Sequence, residues 1–157
     1  MKPLVYIETT VVSYLTARPS RDLVAAARQQ ATRTWWGTEK ERFDLIISEA
    51  VVDEATRGDP QAAKRRLAAL EGIPEAELTD EAKALARALV HPGPIPVKAA
   101  LDATHIAVSA LAGAEYLLTW NFKHLANAAL RKRIERICRS MGYEPPVICT
   151  PEELLNR

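Results

Sequence analysis

Short apolar runs rich in β-branched and aromatic residues alternate along this chain with longer stretches whose apolar positions recur at helical spacing. Leu4-Val5-Tyr6-Ile7, opened by Pro3, predicts a strand buried on both faces. Phe43-Asp44-Leu45-Ile46-Ile47 predicts a second strand, Glu115-Tyr116-Leu117-Leu118-Thr119 a third, and Val147-Ile148-Cys149 a short last one. Helical stretches fill the intervals. Glu8-Thr9-Thr10 starts a short helix with Thr as its N-cap, and Pro19 breaks it. A second helix runs from Asp22 to about Lys40, and a third from a Ser48 cap to a stop at Gly58. Asp59-Pro60 restarts the chain as a helix that reaches Glu71, with Pro at the first helical position. Thr79-Asp80-Glu81 opens another, which ends before the loop His91-Pro92-Gly93-Pro94. A basic helix opened by Asn121 or Asn127 ends near Gly142, and Pro151-Glu152-Glu153 begins a closing one. Strands alternating with helices define an α/β protein with a parallel sheet. Ligands of such sheets bind outside the carboxyl ends of the strands.

One helix breaks the usual polarity. The stretch from Val97 to Ala112, stopped by Gly113, is apolar nearly all round, as a buried helix is. Within it Asp102, His105 and Ser109 fall on one stripe at about 100° per residue. A carboxylate is rarely buried unless it is paired or binds a metal. Asp102 therefore sits on the inner wall of a site that holds a cation or a substrate. His105 is read as satisfying the core by hydrogen bonding to Asp102 or to a carbonyl, and Ser109 as a small packing residue.

Two further places share this character. Glu8 follows the first strand directly, and Thr119-Trp120-Asn121 follows the third, so both lie on the ligand-binding edge. The helix after the second strand has its apolar face centred on Val51 and Ala55. Glu54 lies about 60° from Val51 on that wheel, whereas Glu49 and Asp53 point away. Glu54 is the acid that looks inward. Gathering Glu8, Glu54 and Asp102 at one edge costs about 3–4 kcal/mol per ionised pair at ~4–6 Å and an effective dielectric of ~20. Protonation or a divalent cation must relieve it. With no cysteine cluster or histidine pair to specify zinc, oxygen ligands point to Mg²⁺ or Mn²⁺. Such cations mostly activate water and stabilise phosphoryl oxygens.

The motifs Glu8-Thr9-Thr10 after a strand, Ser48-x-x-Val51-x-x-Glu54, Leu101-Asp102-Ala103-x-His105-Ile106-Ala107 and Leu117-Leu118-Thr119-x-Asn121 resemble, in order, those of PIN-domain nucleases. The closest likeness is to the VapC-type toxins of type II toxin–antitoxin pairs, and it spans essentially the whole chain. It implies one PIN-like domain over 1–157, a three-layer α/β/α fold with a short parallel sheet of about four to five strands. It implies a Mg²⁺- or Mn²⁺-dependent endoribonuclease that leaves a 5′-phosphate and a 3′-hydroxyl. Glu8, Glu54 and Asp102 would be its metal-binding acids, Asn121 would take a fourth acidic place, and Thr119 would be the neighbouring hydroxyl residue. Thr9, Thr10, Thr119 and Lys123 would contact substrate, with Thr9 and Thr10 at a helix N-terminus. A cognate antitoxin and a homodimer, formed through the helices between Asp22 and Glu71, are the implied partners. The family usually has Asp where Glu8 stands and often Asp where Asn121 stands. These departures favour the alternative, a catalytically weak or inactive RNA-binding or assembly module on the same fold. A structure-specific DNA nuclease is the third reading, and the chain lacks the inserted segments needed to thread a flap.

Composition narrows this little. The chain has 157 residues, 48% of them apolar, which suits a globular fold with a sizeable core. No apolar run is long enough for a membrane span, and the acid at Glu8 is unlike a signal peptide. Cys138 and Cys149 lack metal-type spacing and read as buried thiols of a reducing cytoplasm. A net charge of +1 announces no nucleic-acid binder, so RNA contact rests on local patches. The candidate patch is Arg131, Lys132, Arg133, Arg136 and Arg139, together with Lys123.

Overall fold

The computed structural model of the chain describes residues 1–155. Among these, five strands form one all-parallel sheet: β1 (Leu4–Ile7), β2 (Asp44–Ser48), β3 (Glu75–Ala76), β4 (Tyr116–Leu118) and β5 (Val147–Cys149). Their spatial order is β3-β2-β1-β4-β5, with Tyr6 beside Ile46 on one side and Leu117 on the other. Central strands of a parallel sheet are covered on both faces, which is why Val5, Tyr6 and Ile7 are all fully buried. The chain moves outward from β1 through β2 to β3, then returns to the opposite side for β4 and β5. That reversal places a crevice outside the carboxyl ends of β1 and β4.

Among the described residues seven α-helices flank the sheet: α1 (Thr9–Thr16), α2 (Leu23–Thr34), α3 (Glu49–Ala55), α4 (Pro60–Leu70), α5 (Asp80–Val90), α6 (Ala100–Leu111) and α7 (Ala128–Ser140). Helix α1 packs on α2, α3 and α4, while α5 packs on α6 and α7. Their starts follow the capping residues. The side chains of Asp22, Asp59 and Thr79 each accept a backbone N–H from the first turn of α2, α4 and α5. Asn127, not Asn121, opens the basic helix, accepting from the Ala129 N–H at 2.9 Å. Residues 103 and 105–110 of α6 are buried, as its apolar sequence requires.

Several expectations shift. The N-cap of α1 is Glu8, whose carboxylate accepts from the Thr10 N–H, and not a threonine. Ser48 stands at the N-cap of α3 but makes no side-chain cap bond there. The second helix ends at Thr34 and continues as a wider π turn over Trp35–Glu39 and a 3₁₀ turn over Lys40–Arg42. These turns bring Trp35 into the core, stacked on Phe43 with ring centroids 5.6 Å apart. Strand β3 has only two residues and no hydrophobic run to announce it. Residues 151–154 form turns, and among the described residues no closing helix follows them.

Cys138 and Cys149 are both free and buried, and burial lifts their thiols to about 11 and about 12. They are inert packing residues at neutral pH. Among the described residues no helix is long and apolar enough to cross a membrane.

Candidate active site

Three strand ends deliver the site. Glu8 follows β1, Ser48 ends β2, and Thr119 follows β4; all three are buried. Glu8 is wrapped by donors. Its Oε1 accepts the hydroxyls of Thr10 and Thr119, each at 2.5 Å, and its Oε2 accepts the Thr10 backbone N–H at 3.1 Å. The two hydroxyls are themselves fixed, because Thr10 Oγ1 accepts the Trp120 N–H at 2.8 Å and Thr119 Oγ1 accepts the Asn121 N–H at 3.0 Å. Thr10 and Thr119 thus tie the ends of β1 and β4 together around one carboxylate. Burial raises the pKa of Glu8 above the usual carboxylate range, against the pull of His105 and of these hydrogen bonds.

Glu54 enters from α3, half-buried, while Glu49 and Asp53 on the same helix are exposed, as the wheel predicts. Its Oε1 accepts the Thr9 hydroxyl at 2.7 Å and lies 2.6 Å from His105 Nε2. Its Oε2 has no hydrogen-bond partner among the described residues. Burial pushes the carboxyl upward, but the hydrogen bond and charge of His105, with help from Thr9 and Arg57, hold it below the ordinary range. His105 mirrors this. Burial would lower it, yet the Glu54 bond and the charges of Glu8, Glu54 and Asp102 raise it. Its Nδ1 lies 2.7 Å from the Tyr6 hydroxyl, which lies 2.7 Å from Ser48 Oγ. The partner of His105 is therefore Glu54, not Asp102 or a carbonyl.

The ligand atoms of Glu8, Glu54 and His105 all lie within 4.8 Å of one another. Asp102 stands one helical turn before His105, half-buried, with Oδ2 3.0 Å from His124 Nδ1. The acids are thus not left to repel one another unrelieved. Glu54 has His105 and Asp102 has His124, two partners that charge repulsion reasoned from the acids alone does not include. Asn121 spends its Oδ1 on the N–H groups of Lys123 and His124, at 3.1 Å each. It caps the turn that carries His124 to Asp102. Lys123 is exposed beside it. The hydroxyls of Thr9, Thr10 and Thr119 all point at acids. Trp120 is buried, with its Nε1–H donating to Thr32 Oγ1 at 2.8 Å, and is closed to base stacking.

Sequence reasoning places Tyr6 in a strand and Ser48 at a helix cap, and it does not single out His124. A signal for Tyr6 exists: it shares a sheet face with Glu8 at i, i+2, and a buried tyrosine hydroxyl needs a partner. His124 carried no such signal, because its partner is far away in sequence.

These shifts set the pH response of the metal-free protein. The raised His105 contributes stability that is complete below about pH 6.5 and lost as pH rises through its folded value. The raised Glu8 acts in the same sense, costing stability as pH climbs above about 4.5 through its own folded value. The lowered Glu54 contributes above about pH 4.5 and loses that contribution only in stronger acid. The melting midpoint in a chelator should therefore fall between about pH 6 and 8. A midpoint that climbs over that window would contradict the assignment.

Of the three predicted acids Glu8 and Glu54 converge while Asp102 lies outside their cluster, and among the described residues the sheet order and the flanking helices define an α/β fold like that of PIN-type VapC proteins. Its similarity to a solved structure is specific: VapC20 of Mycobacterium tuberculosis, described as a sarcin–ricin loop cleaving toxin. That structure matches with a TM-score of 0.59 and 18% identity, over 76% of this chain and 92% of the other. At such identity the likeness concerns the fold. No protein-family profile and no curated protein matches the sequence.

Proposed function

We propose that this protein is a Mg²⁺- or Mn²⁺-dependent endoribonuclease and acts as the toxin of a toxin–antitoxin pair. The observation that carries this reading is the convergence of Glu8, Glu54 and His105, from three separate elements, on one point at the ligand-binding edge. The donor set fits a divalent cation. Glu54 Oε2 is uncommitted, Glu8 is held in one orientation by three donors, and Asp102 stands one turn away on α6. Glu8, Glu54 and Asp102 would hold the ion. Bound there, it would supply an acidified water and a clamp on a phosphoryl oxygen.

The chain's own residues prepare the site. Thr10 and Thr119 fix Glu8, Thr9 and His105 fix Glu54, and Asn121 fixes the turn that sets His124 on Asp102. Such preorganised supports keep the acids from reorganising when substrate arrives. The hydroxyls of Thr9, Thr10 and Thr119 serve the acids, so phosphate recognition falls to Lys123 and to the exposed face of α7. On that helix Arg131, Lys132, Arg133 and Arg136 are exposed, while Arg139 is tied to Glu144 at 2.9 Å. A homodimer through α2 to α4 is supported by the exposed Leu23 and Val24 at the start of α2. The cytoplasm, an antitoxin and an RNA substrate complete the proposal.

Mn²⁺ titrated calorimetrically into the pure protein should give saturable binding. The same preparation should cut structured RNA in Mn²⁺ but not in a chelator, leaving 5′-phosphate ends. Absence of both binding and cleavage defeats the reading; binding of RNA without cleavage favours the inactive module. The pairing of both Glu54 and Asp102 with histidines, which satisfies these acids without an ion, is the observation on that module's side.

A further inference from the structure

We propose that His105 is a nitrogen ligand of the cation pocket, and that Tyr6 and Ser48 form a two-hydroxyl relay which permits it; this rests on the metal reading above. His105 Nε2 is already among the converging atoms. Without an ion it faces Glu54 Oε1 at 2.6 Å, and an ionised carboxylate only accepts, so Nε2 carries a proton. A cation on Nε2 takes that position, and the ring's remaining proton must then sit on Nδ1.

The partner on Nδ1 decides whether the ring can make this change. A backbone carbonyl only accepts and a backbone N–H only donates, so either would leave one of the two states with a buried, unpaired nitrogen. That omission costs about 1–3 kcal/mol. Here the partner is the Tyr6 hydroxyl, which does both, and behind it stands Ser48 Oγ, which also does both. In the neutral, ion-free ring Ser48 donates to Tyr6 and Tyr6 donates to Nδ1. With the ion bound, the ring's single proton is on Nδ1 and donates to Tyr6 Oη, and Tyr6 donates to Ser48 Oγ. A ring that starts protonated reaches the same end by releasing one proton to solvent. In the neutral ring the Nε2 proton passes to solvent as the ion binds and Nδ1 takes one up from solvent, while the two buried hydroxyls only rotate. Ser48 is free for this because it makes no cap bond on α3.

The consequence is selectivity. Carboxylate oxygens alone suit Mg²⁺, whereas an imidazole in the set moves preference toward Mn²⁺, Co²⁺ and Zn²⁺. Tyr6 and Ser48 are positioning residues; neither reaches the pocket itself.

The test uses the whole chain labelled with ¹⁵N-histidine and Zn²⁺ as a diamagnetic probe. Two-bond ¹H–¹⁵N spectra should show His105 protonated on Nε2 without metal. On adding Zn²⁺ the Nε2 signal should move to the metal-bound position while Nδ1 carries the proton. In parallel calorimetry, Tyr6→Phe should weaken Zn²⁺ and Mn²⁺ binding about 10- to 100-fold, with Ser48→Ala smaller in the same direction. Mg²⁺ binding should change less. The proposal is overturned if Zn²⁺ binds while the His105 nitrogens stay unmoved, if Tyr6→Phe binds Zn²⁺ as tightly as the parent chain, or if Mn²⁺ binds and Zn²⁺ does not. If neither ion binds, the metal reading fails with it, a pattern distinct from the others. The spectra of the unsubstituted protein do not depend on any variant folding.

Discussion

Replacing Glu8 with Gln should abolish RNA cleavage to about one part in 10³ or less, a loss of about 4 kcal/mol in transition-state stabilisation. Residues that merely support a metal ligand typically cost 10- to 100-fold when changed, so an acid that holds the ion should cost more. Glu8 is also the acid least able to be replaced locally. It is buried, and three donors aim at its two oxygens. A glutamine must set its NH₂ either against the Thr10 N–H, donor against donor, or against two hydroxyls that already accept from the Trp120 and Asn121 N–H groups. The carboxamide therefore loses charge and geometry together. Single-turnover cleavage in saturating Mn²⁺ measures the effect, and thermal unfolding of the same sample separates it from loss of fold. Cleavage within tenfold of the parent rate by a folded variant would remove Glu8 from the site.

Asp102→Asn should lower cleavage by more than about 100-fold, beyond the cost of a merely supporting residue. The carboxylate acts in two ways that the amide cannot match. It contributes a negative charge one turn from His105, felt in the raised basicity of that ring. It also holds His124 through Nδ1 at 3.0 Å. Asparagine keeps one acceptor for His124 but carries no charge. Because Asp102 is half-buried and not enclosed, stability should move by no more than about 1 kcal/mol. The comparison also separates the nuclease from the inactive module. In the first, Asp102→Asn reduces cleavage with RNA binding retained; in the second, the parent chain does not cleave and the substitution changes nothing that turnover reports. A fully active Asp102→Asn variant would confine this acid to holding His124 in place.

The two substitutions probe carboxylates with different environments. Glu8 lies in the β1–β4 crevice, fixed by backbone geometry at two strand ends. Asp102 lies on the flank of a helix and depends on a turn that Asn121 caps. Rigid strand ends locate the first acid more firmly than a capped loop locates the partner of the second.

The sequence by itself determined the class of fold and where Glu8 and Glu54 stand on it. Parallel strands buried on both faces must be continuous apolar runs, and Leu4–Ile7 and Tyr116–Leu118 lie within such runs. An acid directly after such a run lies at the carboxyl edge whatever else the chain does, which places Glu8. Helical phase is equally local, which is why Glu54 separates from Glu49 and Asp53. Tertiary structure decided the partners. That Thr119 and Thr10 close on Glu8, that His105 turns to Glu54 and not to Asp102, and that His124 reaches Asp102 are all contacts between residues distant in sequence. Periodicity reports the direction a side chain leaves its own helix or strand, and a hydrogen bond needs the position of a second element as well. The two-residue strand β3 escaped for the same reason: pairing with β2, through Ile47 and Ser48, makes it a strand.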